Sequence, residues 1–169
     1  MTTQWLTTGL GIAAALAASG CAFMNPAATV PPGSSVDAAT RALGPPTGEY
    51  ALPAGGKRLE YARGPLGKHT WMLDFDAGGA LRATTQVLNE TNFNAVRAGM
   101  GRDELLRTIG RPSETATIGL RSQLVWSYRY ETPFCQWFQV GLDGAGRVSE
   151  SSYGPDPMCQ DNTIDLDSM

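Results

Sequence analysis

The single histidine of the chain, His69, stands between Lys68 and Thr70 at the start of an alternating segment. A general base needs a nucleophile or proton-bearing substrate within hydrogen-bond reach, and no Ser- or Cys-centred motif accompanies this histidine. A strand-edge surface position suits it better. Asp74 and Asp76 are two residues apart, so on a strand they share a face. Paired carboxylates can divide acid and base roles when their environments differ. Here they flank an apolar stripe and run into DAGG, which reads as a solvated face ending in a turn. DAGG (76–79) and DGAG (143–146) are rich in glycine, but neither opens a helix, so they do not cradle phosphate. One histidine and three cysteines without a CxxC pair form no metal or redox set. The expectation is a protein without metal, cofactor or catalytic residues, and so not an enzyme.

The cysteines carry different chemistry. The first twenty residues hold no charge, and the apolar part, Leu6 to Ala18, is too short to span a bilayer comfortably. It ends in small residues, as a secretory signal does, although its n-region has no Lys or Arg. The close, Ala18-Ser19-Gly20-Cys21, resembles a bacterial lipobox, in which a cysteine after a small-residue cleavage site receives lipid. A plain signal peptide with a chance cysteine, or an uncleaved anchor, is the alternative. Several acyl chains on Cys21 would hold the chain on a membrane, at roughly 0.8 kcal/mol per buried CH₂. In lipoprotein sorting, Ala22 rather than Asp after the cysteine implies the outer membrane. Cys135 and Cys159 then remain as an even pair in an oxidising compartment. A disulfide between them would stabilise by on the order of 3 kcal/mol in the chain-entropy view. Two free thiols are the alternative.

With 169 residues, 42% of them hydrophobic and 17% charged, the chain suffices for one ordinary domain or two very small ones. Net charge is −3 and the pI about 5.1, which opposes binding to a phosphate backbone. The segment FNAVRAGMGRDELLRTIGRP has the outline of a helix-turn-helix, but the acidic pI, the export signal and the strands that follow argue against nucleic acid. Residues 21–32 read as a lipidated N-terminus and Pro-rich tether, and residues 155–169 as an acidic tail pinned at Cys159.

Between them lies a repeat. Gly44 and Gly110 each end a helical pattern, 66 residues apart, and Pro46 and Pro112 follow at the same offset. Leu59 and Tyr61 align with Leu124 and Trp126 at 65, and Trp71, Leu73 and Phe75 with Phe138, Val140 and Leu142 at 67. Each copy opens with a short helix. Val36, Ala39 and Leu43 in one, and Leu105, Leu106 and Ile109 in the other, have helical spacing. Ser35 and Gly101 serve as N-caps, and the two glycines as C′ residues that need φ > 0. A further short helix is expected at TNFNAVRAG, with Phe93 and Val96 inward. Three strands then follow in each copy: KRLEYARG, HTWMLDFD and LRATTQVL, then QLVWSYRY, WFQVGLD and RVSESSYG. The expected fold is α+β, two tandem (α)αβββ units at 33–88 and 89–154. Each is an antiparallel three-stranded sheet with helices packed on one face.

Trp126, Tyr128 and Tyr130 share one strand face and read as core against the helices. Trp137 alternates out of phase with Phe138, so it belongs on the opposite face with Cys135. Exposed tryptophan is a usual interface anchor; alternatively, the tail folds back over it. Trp137, with Tyr128 and Tyr130, forms the candidate partner-binding set.

The run FNAVRAGMGRDELLRTIGRP, the aromatic strand VWSYRY and the hairpin FQVGLDGAGRV resemble the SmpA/OmlA (BamE-like) family of outer-membrane lipoproteins. The resemblance covers Asn92–Gly154 well and Gly33–Leu88 weakly. It implies an ααβββ fold, a place on the periplasmic face of the outer membrane and a part in envelope integrity. It also implies a binding or scaffold role in outer-membrane protein assembly, with the β-barrel assembly machinery as partner. The tandem pair is also similar to β-lactamase inhibitory proteins, which bind an enzyme with a concave sheet. That implies the alternative, an inhibitor or binding module for a periplasmic enzyme. If Cys21 carries lipid, Cys21→Ala moves the chain from the membrane fraction to the soluble fraction; unchanged membrane association on fractionation would remove the lipid anchor.

Overall fold

Ser35 is extended, and its hydroxyl accepts the N–H of Ala38 at 3.2 Å, starting helix α1 (Val36–Leu43). Asn89 caps the four-residue helix α2 (Glu90–Phe93) in the same way. Gly101 takes the N-cap position of α3 (Arg102–Ile109) without a side-chain bond. α1 and α3 both stop at a glycine in the left-handed region, Gly44 at φ +80° and Gly110 at φ +78°. Their N–H groups donate to the carbonyls of Thr40 and Leu106, at 2.8 and 2.9 Å. The computed structural model describes residues 25, 29–53, 55–62, 67–119 and 123–159. The expected signal segment, Cys21, most of the expected tether and the residues beyond Cys159 lie outside the described residues. Among the described residues no helix is long and apolar enough to cross a membrane.

α1 and α3 are each followed by four strands, not three. After α1 come β1 (Gly48–Ala51), β2 (Lys57–Tyr61), β3 (Trp71–Phe75) and β4 (Leu81–Gln86). After α3 come β5 (Glu114–Ile118), β6 (Gln123–Arg129), β7 (Gln136–Leu142) and β8 (Val148–Pro155), closed by a 3₁₀ turn, Pro157–Cys159. The result is two separate antiparallel meanders, ordered β1-β2-β3-β4 and β5-β6-β7-β8. This overturns the expected α+β fold of tandem BamE-like (α)αβββ units. The strands that reading lacked are the edges β1 and β5. β1 has only four residues, and β5 is exposed along its whole length, so neither buries an apolar stripe that would mark it. The helix around Asn92 is also shorter than TNFNAVRAG, although Phe93 and Val96 are buried.

The register corrects the alignment of the halves as well. Lys57 pairs with Phe75, and Leu124 with Leu142, each beside a bulge of the same kind. Leu59 therefore corresponds to Trp126 and Tyr61 to Tyr128, an offset of 67 rather than 65. The hydrogen bonds recur at the same places. Tyr61 Oη donates to the Gly44 carbonyl at 3.4 Å, and Tyr128 Oη to that of Gly110 at 3.2 Å. The hydroxyls of Thr47 and Ser113 accept the N–H groups of Ala62 and Arg129, both at 3.0 Å. Gly33 and Gly99 donate to Leu81 and Val148, at 2.8 and 2.7 Å.

One face of each sheet packs on its helix. In the first, Leu59, Tyr61, Leu73, Phe75 and Leu81 meet Ala39 and Val30. In the second, Trp126, Tyr128, Phe138, Val140 and Leu142 meet Phe93, Leu105 and Ile109. Each fully buried Leu or Phe side chain contributes about 1.5–3 kcal/mol. Phe93 also stacks on Phe138, with centroids 4.4 Å apart, and meets Tyr130 edge-on at 5.1 Å.

The two Gly-rich stretches close the β3–β4 and β7–β8 hairpins. Asp76 accepts the N–H of Ala80 at 3.0 Å and pairs with Arg82 at 2.6 Å. The Ala80 N–H first, and Arg82 second, hold its carboxyl below the usual range. A carboxyl lowered by folding stabilises the fold fully above the ordinary carboxylate pKa, and that contribution is lost as pH falls through the folded value. Asp76→Asn should therefore lower stability at pH 7, and the gap from wild type should close as pH falls through the lowered Asp76 pKa. Urea denaturation across an acid pH series measures it, and a gap independent of pH would refute the assignment.

Candidate functional site

The other face of the first sheet is occupied by the second unit. Arg58 on β2 grips Asp74 on β3 with two bonds, Nε to Oδ1 at 2.6 Å and Nη2 to Oδ2 at 2.7 Å. Its remaining nitrogen, Nη1, donates to the carbonyl of Arg107 in the last turn of α3, at 2.5 Å. The last carbonyls of a helix lack intrahelical donors and sit at the negative end of its dipole, so a cation suits that place. The bonds to Asp74 raise the Arg58 pKa, against the opposing effect of burial. Next to it Glu60 is fully buried. Its Oε1 accepts the N–H of Arg111 at 3.0 Å, just beyond the end of α3, and its Oε2 accepts the Tyr50 hydroxyl. Burial, then Glu60, pushes the Tyr50 pKa up. Ser113 Oγ donates to the Gly67 carbonyl at 3.2 Å. The first sheet thus receives the C-terminal end of the second unit's helix.

This placement corrects the reading of Asp74 and Asp76 as one solvated face. Asp74 is an ion-pair partner at the join, and Asp76 ties a turn. His69 is partly buried beside the join, with Nε2 4.0 Å from Glu131 Oε1. Among the described residues no cluster of three or more His, Cys, Asp or Glu side chains could hold a metal ion.

On the equivalent face of the second sheet Val125, Ser127 and Arg129 are also buried, but among the described residues the hydrogen bonds on that face come from its own unit and no helix end is held there. At the offset of 67, Arg58 and Asp74 are replaced by Val125 and Gly141, and Glu60 and Met72 by Ser127 and Gln139. Thr70, buried in the join, is replaced by Trp137. Trp137 is half-buried, with the Arg129 guanidinium 5.3 Å from its ring. Arg129 is held on its far side by Asp156, Nε to Oδ2 at 2.8 Å, and by Glu114, Nη2 to Oε1 at 2.6 Å. Burial opposes the Arg129 charge, but these two carboxylates outweigh it and raise its pKa. Ser127 Oγ accepts from Gln139 Nε2 at 3.1 Å. The face therefore presents a tryptophan and amide groups on a pre-arranged polar floor.

Cys135 and Cys159 form the expected disulfide, with Cα atoms 6.2 Å apart. Both cysteines are exposed, and each adjoins an exposed apolar side chain, Phe134 and Met158. Tyr128 and Tyr130 do not join Trp137 as partner contacts. They are 0% and 3% exposed, on the helix side of the sheet. Tyr128 Oη is taken by Gly110, and Tyr130 Oη accepts from Gln136 Nε2 at 2.7 Å. Burial, before the Glu60 and Tyr50 charges, drives the Tyr128 pKa up. Sequence reasoning missed Arg129, Asp156, Arg58 and Glu60. For Glu60 and Arg129 the signal was charge at a strand position between large apolar neighbours, as in Tyr128-Arg129-Tyr130; Arg58, which follows Lys57, and Asp156, which lies beyond β8, left no such mark.

No protein-family profile and no curated protein sequence matches this chain. Three solved structures are similar. A candidate beta-lactamase inhibitor protein from Streptococcus mutans has 10% identity and a TM-score of 0.32, over 72% of this chain and 82% of that one. A cysteine-rich secretory protein from Staphylococcus aureus has 11% identity and a TM-score of 0.28, over 79% of this chain and 47% of that one. An extracellular protein with an SCP domain from Bacillus anthracis has 6% identity and a TM-score of 0.31, over 95% of this chain and 52% of that one. Similarity at this level assigns no activity to the site.

The join has a simple test at Gly110. A Cβ there would lie 2.9 Å from Thr70 Cγ2 and 3.2 Å from both Glu60 Oε1 and Met72 Cε, at φ +78°. Gly99 has φ +86° and nothing within 4 Å of its Cβ position. Gly99→Ala should cost only the backbone term, about 1–2 kcal/mol. Gly110→Ala should cost at least about 1 kcal/mol more, because the neighbouring sheet is overpacked. Equal losses in urea denaturation would mean that the units do not meet there.

Proposed function

We propose that this chain is a binding module of the cell envelope, taking a protein partner on the open face of its second sheet around Trp137. One observation carries the reading. The same face of the first sheet already works as a receptor for a protein surface, the end of α3. The second sheet repeats its framework with the gripping residues changed. Loss of Arg58 and Glu60 at the equivalent positions argues against a second copy of this chain, since the groups that hold a helix end are absent. A tryptophan where Thr70 is covered supports a different partner, with an apolar recess for the indole and donors or acceptors for Gln139.

The function is binding rather than catalysis, and the partner class that fits best is a periplasmic enzyme held or inhibited on the sheet. The lipobox-like close at Cys21 and the tether after it support a place on the periplasmic face of the outer membrane. These features do not depend on the sheet; the use of the sheet face does not depend on them, whereas the periplasmic place of the partner does.

A photo-cross-linking residue at Ser152, on the same face, should capture one discrete partner in cells. The same group at Arg41 on α1 should not. Trp137→Ala should reduce the Ser152 adduct at least about tenfold, as expected of an anchor worth more than about 1.4 kcal/mol, while thermal stability changes little. A soluble hydrolase in the adduct supports the enzyme-binding form, whereas a barrel-assembly component supports a scaffold. Equal adducts from Ser152 and Arg41, or an adduct indifferent to Trp137, would reject the face.

A further inference from the structure

The disulfide lies at the end of a chain of contacts that leads to the proposed binding face. Cys135 closes the turn between β6 and β7 with φ +48°, the one non-glycine residue in that region among those described. Its carbonyl accepts the N–H of Asp156 at 3.1 Å. Asp156 in turn organises the 3₁₀ turn that carries the second cysteine. Its carbonyl accepts the Cys159 N–H at 3.0 Å, and Oδ1 accepts the Met158 N–H at 3.0 Å. The other oxygen, Oδ2, holds Arg129, whose guanidinium lies over Trp137. Asp156 and Arg129 are 5% and 7% exposed, whereas both cysteines are exposed. Two exposed cysteines thus bracket a turn whose Asp156 pairs with the buried Arg129, and that guanidinium lies over Trp137.

We propose that the Cys135–Cys159 disulfide is a redox latch on this face. Oxidised, it holds the Asp156 turn against β6, keeps Arg129 paired and fixes the orientation of Trp137. A dithiol donor opens it by thiol–disulfide exchange. Its thiolate attacks one sulfur, the second thiol resolves the mixed disulfide, and the protein leaves with two thiols while the donor is oxidised. The two ends, 24 residues apart in sequence, are then joined only by hydrogen bonds and the ion pair. The Asp156 turn opens, Arg129 keeps only the half-exposed Glu114, and Trp137 loses its fixed neighbour. Regulation of binding rests on the reading given under Proposed function, but the latch itself is a property of the free protein.

The test therefore uses the free, full-length chain and needs no partner. The indole N–H signals of Trp71, Trp126 and Trp137 are followed by NMR before and after reduction with dithiothreitol, together with amide exchange at Asp156 and Met158. On reduction, the Trp137 signal should shift and the two amides exchange at least about tenfold faster, while Trp71 and Trp126 stay in place. Asp156→Asn, with the disulfide intact, should shift Trp137 in the same direction. A Trp137 signal unmoved by reduction overturns the latch. So does one moved by reduction but not by Asp156→Asn, because the contact would not run through Asp156. Movement of Trp71 and Trp126 together with Trp137 overturns it too, since the bond would then hold the whole fold rather than one face. Failure of the cross-linking test with success here would leave a latched surface without a partner, so the two claims fail separately.

Discussion

A carboxylate with no exposed surface, Glu60, stands where the two halves of this molecule meet. Such a group is tolerable only if its oxygens are satisfied. One takes the N–H that follows the end of α3 and the other takes a tyrosine hydroxyl. Beside it, Arg58 is neutralised by Asp74 and still has a donor left for the final turn of that helix. Desolvation makes this arrangement strict. A buried charge without its partner is costly, so the second unit has one place to sit. The glycine that stops α3 belongs to the same constraint, because only the absence of a Cβ lets the chain pass so near Thr70 and Met72. Helix termination and unit docking are served by one residue.

The repeat then shows how a framework outlasts its chemistry. Tyrosine to glycine carbonyl, hydroxyl to strand N–H, and glycine N–H to the first residue of the last strand recur in both halves. These contacts hold a helix against its own sheet, and any copy of the unit needs them. The far face carries no such obligation. In the first sheet it is charged and covered, and in the second it is amide-rich with a tryptophan, which is how a surface freed from one partner can be fitted to another. The disulfide adds order to this second face: the turn it closes supplies Asp156, without which the Arg129 charge would lack its buried partner.

Much of this was legible in the sequence because it is local. N-caps, stop glycines and hairpin turns depend on residues within about four positions, and each leaves a spacing pattern. Alternation placed Trp126 and Tyr128 against the helices and Trp137 on the other side. Counting cysteines with Cys21 set aside offered the pair Cys135–Cys159, with two free thiols as the alternative, and the fold supplies the bond. The duplication was visible too, although the offset of its second strand was misjudged by two residues, since Leu59 resembles Leu124 more than it resembles Trp126. The edge strands β1 and β5 left little pattern, because an exposed edge strand buries no stripe to read.

The sequence by itself determined where α1 and α3 start and stop, which strand residues face them and that the unit is used twice; it offered the Cys135–Cys159 pair with two free thiols as the alternative. Only the tertiary structure decided that each sheet has a fourth strand and that the far face of the first sheet is filled. It alone brought Arg58, Asp74, Glu60 and the end of α3 together, and set Asp156 and Arg129 beside Trp137. The reason is distance along the chain. Glu60 and Arg111 are 51 residues apart, and Arg129 and Asp156 are 27 apart. Whether a charge on a strand is solvated or paired depends on a segment that no local pattern places beside it.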